Sequence, residues 1–130
     1  MIKFFSNYKI IFYFINISLI FLYIYPGSLM GQIIYGNNKA QPQLTPDFII
    51  SSNHFYVFVL LSIFGFLTYI KKNQMNILIL YLISISIILE LLHLYIPERT
   101  FQWGDLFGNI LGVTVVILMK NLINKYEVFK

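Results

Sequence analysis

The sequence predicts an all-α, polytopic membrane protein with four transmembrane helices and both termini in the cytoplasm. The chain has 130 residues, of which 58% are hydrophobic and only 11% are charged, and its mean hydropathy is +0.76. The apolar residues fall in long runs, and about 18 of them in a helix are enough to cross a hydrocarbon layer of roughly 30 Å. The length suits a single membrane domain, residues 1–130.

Four apolar segments are the candidate spans. The first ends at Pro26, the second follows a Ser-Ser-Asn capping signal, and the third stops at Pro97, which cannot continue a helix without losing a hydrogen bond. The predicted helices are residues 8–25, 54–70, 77–96 and 105–123. A signal peptide is the alternative for the first segment, but no clear cleavage site follows it, so we expect a retained anchor.

The connections between these segments differ in length. Residues 26–53 contain glycine and proline breakers, and the run "MGQIIYG" among them is too short to span, so we expect it to lie at the interface. The run "KKNQMN", residues 71–76, is expected to be the turn of a helical hairpin.

Lysine placement sets the predicted orientation, because cytoplasmic loops carry an excess of basic residues. Four spans put seven of the nine basic residues on one side and two on the other. The first group is Lys3, Lys9, Lys71, Lys72, Lys120, Lys125 and Lys130, and the second is Lys39 and Arg99. The loops 26–53 and 97–104 then face outward, and Trp103 falls at the membrane interface.

Polar residues are concentrated in the stretch "ELLHLYIPERTFQWGDLFGNILG", residues 90–112. Glu90 and His93 share one helix face at i and i+3, and Asp105 and Asn109 share another. A buried carboxylate in a span is costly and usually faces protein or a water-filled cavity. The topology therefore brings the predicted ligand-binding residues together at the outer end: His54, Glu90, His93, Arg99, Asp105 and Asn109.

Arg99 is expected to be the partner of Glu90, with Asp105 competing for it. Because it is the only arginine beside eight lysines, its planar fork suggests recognition of carboxylate or phosphate. The chain has no cysteine, which excludes disulfides and thiolate metal sites. A single Glu-x-x-His pair is short of a helical metal set, so no metal and no cofactor are expected. The dispersed basic residues give no nucleic-acid site.

The same stretch resembles the signature of the VanZ-like family of bacterial integral membrane proteins, E-x-x-Q, P-x-R and D-x-x-x-N-x-x-G. The matching residues are Glu90, Pro97, Arg99, Asp105, Asn109 and Gly112. His54 with Phe55 resembles the histidine that opens an earlier helix in that family. The departures are His93 in place of glutamine, Val116 in place of a second glycine, and Ile50 and Ser51 in place of an Asp-Lys pair. The resemblance implies the bacterial cytoplasmic membrane, the cell envelope and resistance to the glycopeptide teicoplanin, without a defined activity.

Three functions stay open at this point. In the first, the outward pocket binds an anionic or amide-rich ligand, such as a lipid-linked or peptidoglycan-type precursor, through Arg99. In the second, the protein is an intramembrane hydrolase or transferase in which Glu90 or Asp105 is the acid or base beside His93 or His54, and Arg99 holds the oxyanion or phosphate. In the third, it is an accessory or scaffold subunit. The lipid bilayer is a partner in each case, and the oligomeric state is open.

Overall fold

The fold is entirely helical in a computed structural model that describes residues 2–128, with the side chains of residues 8–126. The helices are α1 (Ile2–Ile24), α2 (Leu29–Tyr35), α3 (Ser52–Thr68), α4 (Lys72–Leu92) and α5 (Trp103–Val128). No strand occurs in that range, so the predicted all-α class is confirmed. Two of the lysines used to predict the orientation, Lys3 and Lys130, have side chains outside the described residues.

The helix α3 is the centre of the bundle, because it packs against α1, α4 and, most extensively, α5. The core consists of large apolar side chains from these four helices, and Phe58, Leu61, Leu82 and Val113 are completely inaccessible to solvent. The core lies below the polar end of the bundle and holds the helix ends in a fixed relation.

The contact between α3 and α5 is close because α5 carries glycine at every fourth position, at residues 104, 108 and 112. A Cβ atom placed on Gly108 would lie 2.7 Å from the Ser51 carbonyl oxygen, and one on Gly112 would lie 2.6 Å from that of Phe55. Such small residues let helix backbones approach in a membrane protein. The glycines therefore bring the beginning of α3 directly beside the beginning of α5.

The connection at residues 26–53 was expected to be a loop with a short interfacial run, and it contains a helix instead. Ser28 is the N-cap of α2 and accepts a 3.0 Å hydrogen bond from the Gly31 N–H. The helix ends at Gly36, whose φ of 66° is left-handed and suits glycine. Capping at both ends thus allows seven residues to form a helix, and the interfacial position of α2 stays a prediction.

The predicted boundaries of the third span were wrong at both ends. The run "KKNQMN" belongs mostly to α4, which begins at Lys72, because lysine, glutamine and methionine are good helix formers. The helix then ends at Leu92 instead of Ile96. Residues 93–95 donate to carbonyls three positions earlier, because Pro97 disfavours the α conformation before it. His93 thus lies at the end of α4. The fourth predicted helix is longer than expected and begins at Trp103.

Among residues 8–126, two helices, residues 72–92 and 103–126, are long and apolar enough to cross a membrane. A third span results if residues 8–24 and α2, which are inclined at 83°, act as one bent pair. The helix α3 is apolar but has only 17 residues. Large apolar side chains cover the outer faces, with Phe14 71% and Ile77 69% exposed. Patches of that kind suit a lipid environment. Four spans stay a prediction.

Candidate functional site

The candidate site lies at the end of the bundle where α1 and α4 end and where α3 and α5 begin. Each of these helices contributes at least one polar side chain that is buried among the others. They are Tyr23 from α1, His54 from α3, Glu90 from α4 with His93 just after it, and Asp105 and Asn109 from α5. Five of the six residues predicted for the site are therefore in one cluster, and the sixth, Arg99, lies at its edge.

A hydrogen-bond network centred on Tyr23 orders one half of the cluster. The Tyr23 hydroxyl donates to Asn109 Oδ1 at 2.7 Å and lies 2.7 Å from His54 Nδ1. The Asn109 amide donates to the Ser86 carbonyl at 3.0 Å, which fixes its oxygen toward the histidine, 3.1 Å from Nδ1. His54 and Asn109 are thus held in defined orientations.

Glu90 is completely buried and forms the other half. Its Oε1 atom accepts a 3.0 Å hydrogen bond from the Gln102 N–H. Its Oε2 atom lies 3.3 Å from His93 Nδ1 and 3.9 Å from His54 Nδ1, but no described group makes a hydrogen bond with it. An unsatisfied buried carboxylate oxygen is costly and calls for an explanation at this position.

Asp105 closes the cluster on the side of α5. Its Oδ2 atom lies 3.5 Å from Nε2 of His54. Its position in the first turn of α5 is favourable for a carboxylate, because the helix dipole is positive there. Carboxylate oxygens of Glu90 and Asp105 therefore lie 3.9 Å and 3.5 Å from nitrogens of the same imidazole ring.

Arg99 does not pair with Glu90 or with Asp105, and this prediction was wrong. Its Nη2 donates to the Leu22 carbonyl at 2.8 Å and its Nε to that of Tyr25 at 3.3 Å. These carbonyls belong to the end of α1, where four carbonyls lack helical partners. Burial lowers the pKa of Arg99 from its ordinary value, and the nearby carboxylates oppose that shift. Arg99 thus caps α1, while Glu90 interacts with His93 instead.

A polar cavity of about 520 Å³ lies above the cluster. His93 and Asp105 form part of its wall, which connects the cavity to the buried groups. Its remaining lining is contributed by the two connections and carries both charges and amides: Gly27, Ser28, Asn38, Lys39, Gln41, Glu98, Arg99, Thr100 and Gln102. Asn38 donates to Glu98 and so joins the two connections. The cavity has the size of a small-molecule site.

One ligand atom from each of His54, Glu90 and Asp105 lies within 4.8 Å of the other two. The expectation of no metal rested on the single Glu-x-x-His pair. Sequence spacing could not show that Asp105 and His54, 15 and 36 positions away from Glu90, would complete a set of three.

Sequence reasoning missed Tyr23, although it is the residue that joins three helices. It lies in a run of aromatic and aliphatic residues in α1, where nothing distinguishes it from Tyr25. It lies one residue before the end of α1, and the sequence gives no signal for its contacts. It also missed Gln102, because a backbone N–H leaves no trace in residue type.

No family model, no curated protein and no solved structure matches this chain. The features that indicate a function are therefore the geometry of the cluster and the motif in residues 90–112.

Proposed function

We propose that the chain is a VanZ-like protein of a bacterial cytoplasmic membrane, and that it binds an anionic or amide-rich envelope ligand in the polar cavity. The observation that carries the proposal is the position of Arg99 and Lys39 in the wall of that cavity. They are the only basic residues in the two connections that the cavity separates. The motif in residues 90–112 supports the family.

The proposed topology has four spans, α1, α3, α4 and α5, with both termini in the cytoplasm. The 17 residues of α3 give a length of about 25 Å, which is short for a hydrocarbon core but is accommodated by local thinning of the bilayer. The lysine distribution supports this orientation. In it the cavity opens to the outer surface, where envelope precursors are exposed.

The chemistry of the lining limits the class of ligand. Arg99 uses two of its N–H groups on the end of α1, and a guanidinium has five, so three remain for a ligand. Lys39 is exposed and adds a second positive charge. Three amide side chains, Asn38, Gln41 and Gln102, lie in the same wall. A lipid-linked phosphate that carries amide groups, such as a peptidoglycan-type precursor, fits both features.

The test is mass spectrometry of the lipids and glycans that remain bound to the purified protein. Lys39→Ala is the sharpest variant, because this side chain is exposed and removing it leaves the helix contacts intact. Lys125→Ala is the matched control, since it removes an exposed lysine from α5 instead of one from the cavity. We expect wild type and control to retain phosphate-linked lipid and Lys39→Ala to retain severalfold less. Equal retention in all three would contradict the proposal.

An intramembrane hydrolase or transferase is the second candidate, favoured by the two carboxylates that each face an imidazole. Glu90, Asp105 or His93 would act as acid or base on a water molecule. The Ser86 hydroxyl donates to the Ile83 carbonyl of its own helix and makes no hydrogen bond to a base of the cluster. Turnover of a polyprenyl phosphate that is lost in Glu90→Gln and Asp105→Asn supports this candidate, and turnover that survives both excludes it.

A further inference from the structure

The protonation pattern of His54 follows from its neighbours. Its Nδ1 lies 3.1 Å from Asn109 Oδ1, and that oxygen only accepts because the amide nitrogen donates to the Ser86 carbonyl. Nδ1 must therefore carry the hydrogen, and Nε2 of a neutral ring has a free lone pair. This lone pair is on the side of Asp105, whose Oδ2 lies 3.5 Å from Nε2. Two lone-pair atoms thus face each other.

His93 repeats the pattern on the other side of the cluster. Its Nε2 lies 3.1 Å from the Tyr23 backbone carbonyl, which also only accepts, so the hydrogen is on Nε2. Nδ1 then has the lone pair, and it lies 3.3 Å from Glu90 Oε2. Each histidine therefore donates a hydrogen bond from one ring nitrogen to a neutral oxygen and presents the lone pair of its other ring nitrogen to a carboxylate.

In each pair, the nitrogen lone pair and the carboxylate oxygen repel each other unless a positive charge lies close to both. Glu90 Oε2 is completely buried and makes no hydrogen bond within residues 8–126, so the protein itself supplies no donor there. Buried carboxylates persist when they are paired or when they coordinate a metal. A divalent cation balances the charges of Glu90 and Asp105 and leaves both rings neutral.

We propose that the cluster binds one divalent transition-metal ion, zinc or manganese, through His54 Nε2 and one carboxylate oxygen each from Glu90 and Asp105. The three residues offer ligand atoms within 4.8 Å of one another. Ligands at 2.0–2.1 Å from a tetrahedral zinc lie about 3.4 Å apart, close to the 3.5 Å between His54 Nε2 and Asp105 Oδ2. Glu90 Oε2 makes no hydrogen bond within the described residues, and His93 Nδ1 lies 3.3 Å from it as a further nitrogen donor.

The groups around the three proposed ligands make the hydrogen bonds that orient metal ligands in proteins. Metal-bound histidines donate their other N–H to an oxygen that fixes the ring, and here Asn109 and Tyr23 receive the Nδ1–H of His54. The imidazole ligand favours a transition ion over magnesium or calcium, which prefer oxygen. Asp105 also lies in the wall of the polar cavity, so the ion has an entry path.

The experiment is metal analysis of the full-length protein in detergent, after removal of metal with a chelator and reloading with zinc or manganese. We expect one ion per chain in wild type, and at least about tenfold weaker binding in Asp105→Asn and His54→Gln. The matched control is Glu98→Gln, which removes a carboxylate from the same cavity outside the three ligands and is expected to bind as wild type does. Binding that is absent in wild type, or equal in all four proteins, overturns the proposal.

A second measurement on wild type covers the case in which a variant fails to fold. The protein is loaded with one equivalent of copper(II), and pulsed electron paramagnetic resonance detects the remote nitrogen of a coordinated imidazole. We expect that signal, with Nδ1 of His54 as the remote nitrogen, and a spectrum without imidazole coupling overturns the site. Neither measurement uses an envelope ligand, so the metal site and the proposed function succeed or fail separately.

Discussion

The Tyr23 hydroxyl of α1 donates a 2.7 Å hydrogen bond to Asn109 Oδ1 of α5, across 86 positions of sequence. Asn109 in turn donates to the Ser86 carbonyl of α4, and the same tyrosine hydroxyl contacts His54 of α3. One buried chain of hydrogen bonds thus crosses all four long helices. In a low-dielectric interior such networks are costly to leave partly satisfied, which gives this tyrosine a structural role that is separate from any ligand.

Replacing Tyr23 by phenylalanine is therefore expected to destabilise the protein. The change keeps the ring and removes only the hydroxyl, so Asn109 loses a donor and His54 loses an acceptor. A lost buried hydrogen bond costs about 1–3 kcal/mol. Unfolding in a mixed-micelle titration measures the change. Tyr95→Phe is the control, because that side chain is 84% exposed and its loss is expected to be within about 0.5 kcal/mol of zero. Equal effects of the two changes would refute the role given to Tyr23.

Glu90→Gln is expected to leave the metal-free protein as stable as wild type, or more stable. The amide keeps an oxygen for the Gln102 N–H and places a donor 3.3 Å from the His93 Nδ1 lone pair, where wild type has a repulsive contact. Glu90→Leu has no such groups and leaves that N–H unsatisfied, which costs about 1–3 kcal/mol.

Thermal unfolding of both Glu90 variants after chelation distinguishes them. If the glutamine variant is destabilised as much as the leucine variant, then His93 donates from Nδ1 and the protonation pattern assigned to the cluster is wrong.

Gly108→Ala and Gly112→Ala are expected to destabilise the contact between α3 and α5. The new methyl groups would lie 2.7 Å and 2.6 Å from backbone carbonyl oxygens of α3, which cannot move aside as a flexible side chain does. Overpacking of this kind costs about 1–3 kcal/mol. At Gly104 the nearest atom is 3.7 Å away, so Gly104→Ala is the matched control and should be neutral. The unfolding free energies of the three variants show whether the loss of stability comes from the close approach of the two helices or from the loss of any glycine in α5.

The long helices were the predictable part of the fold, because they depend on runs of apolar residues. Segments of about 18 apolar residues can only be helices in lipid, because every backbone group must then bond within its own segment. The boundaries were missed where local bonds decide: Ser28 and Gly36 cap α2, and Pro97 tightens the chain after Leu92. Each such cap changes the stability of a helix by only about 1 kcal/mol. Its effect on a helix boundary is therefore not visible in the hydropathy of the sequence.

Glu90 was predictable because a charge inside an apolar segment is expensive, and the other members of the cluster, such as Asp105, followed from the predicted topology. The hydrogen-bond partners of these residues could not be predicted from the sequence, as Arg99 shows. Residue type suggests that an arginine bonds a carboxylate, but the free carbonyls at the end of α1 compete for the same donors. Sequence does not reveal which acceptor is nearer. The same limit hid Tyr23, whose importance comes from hydrogen bonds to residues of two other helices.

The proposed four-span topology predicts which positions react with a membrane-impermeant maleimide. The chain has no cysteine, so single variants report without background. Lys39→Cys in the outward connection is expected to label in intact cells. Lys71→Cys and Lys125→Cys, which are exposed on the opposite end of the bundle, should label only after the membrane is disrupted.

Each alternative topology gives a different result in the same experiment. If α3 does not cross the membrane, Lys39→Cys and Lys71→Cys label alike. If α4 or α5 alone fails to cross, Lys71→Cys and Lys125→Cys label differently. Reversed orientation reverses all three. Because the cavity and the metal ligands lie at the end of the bundle that carries Lys39, labelling of that variant in intact cells also decides whether an envelope ligand has access to them.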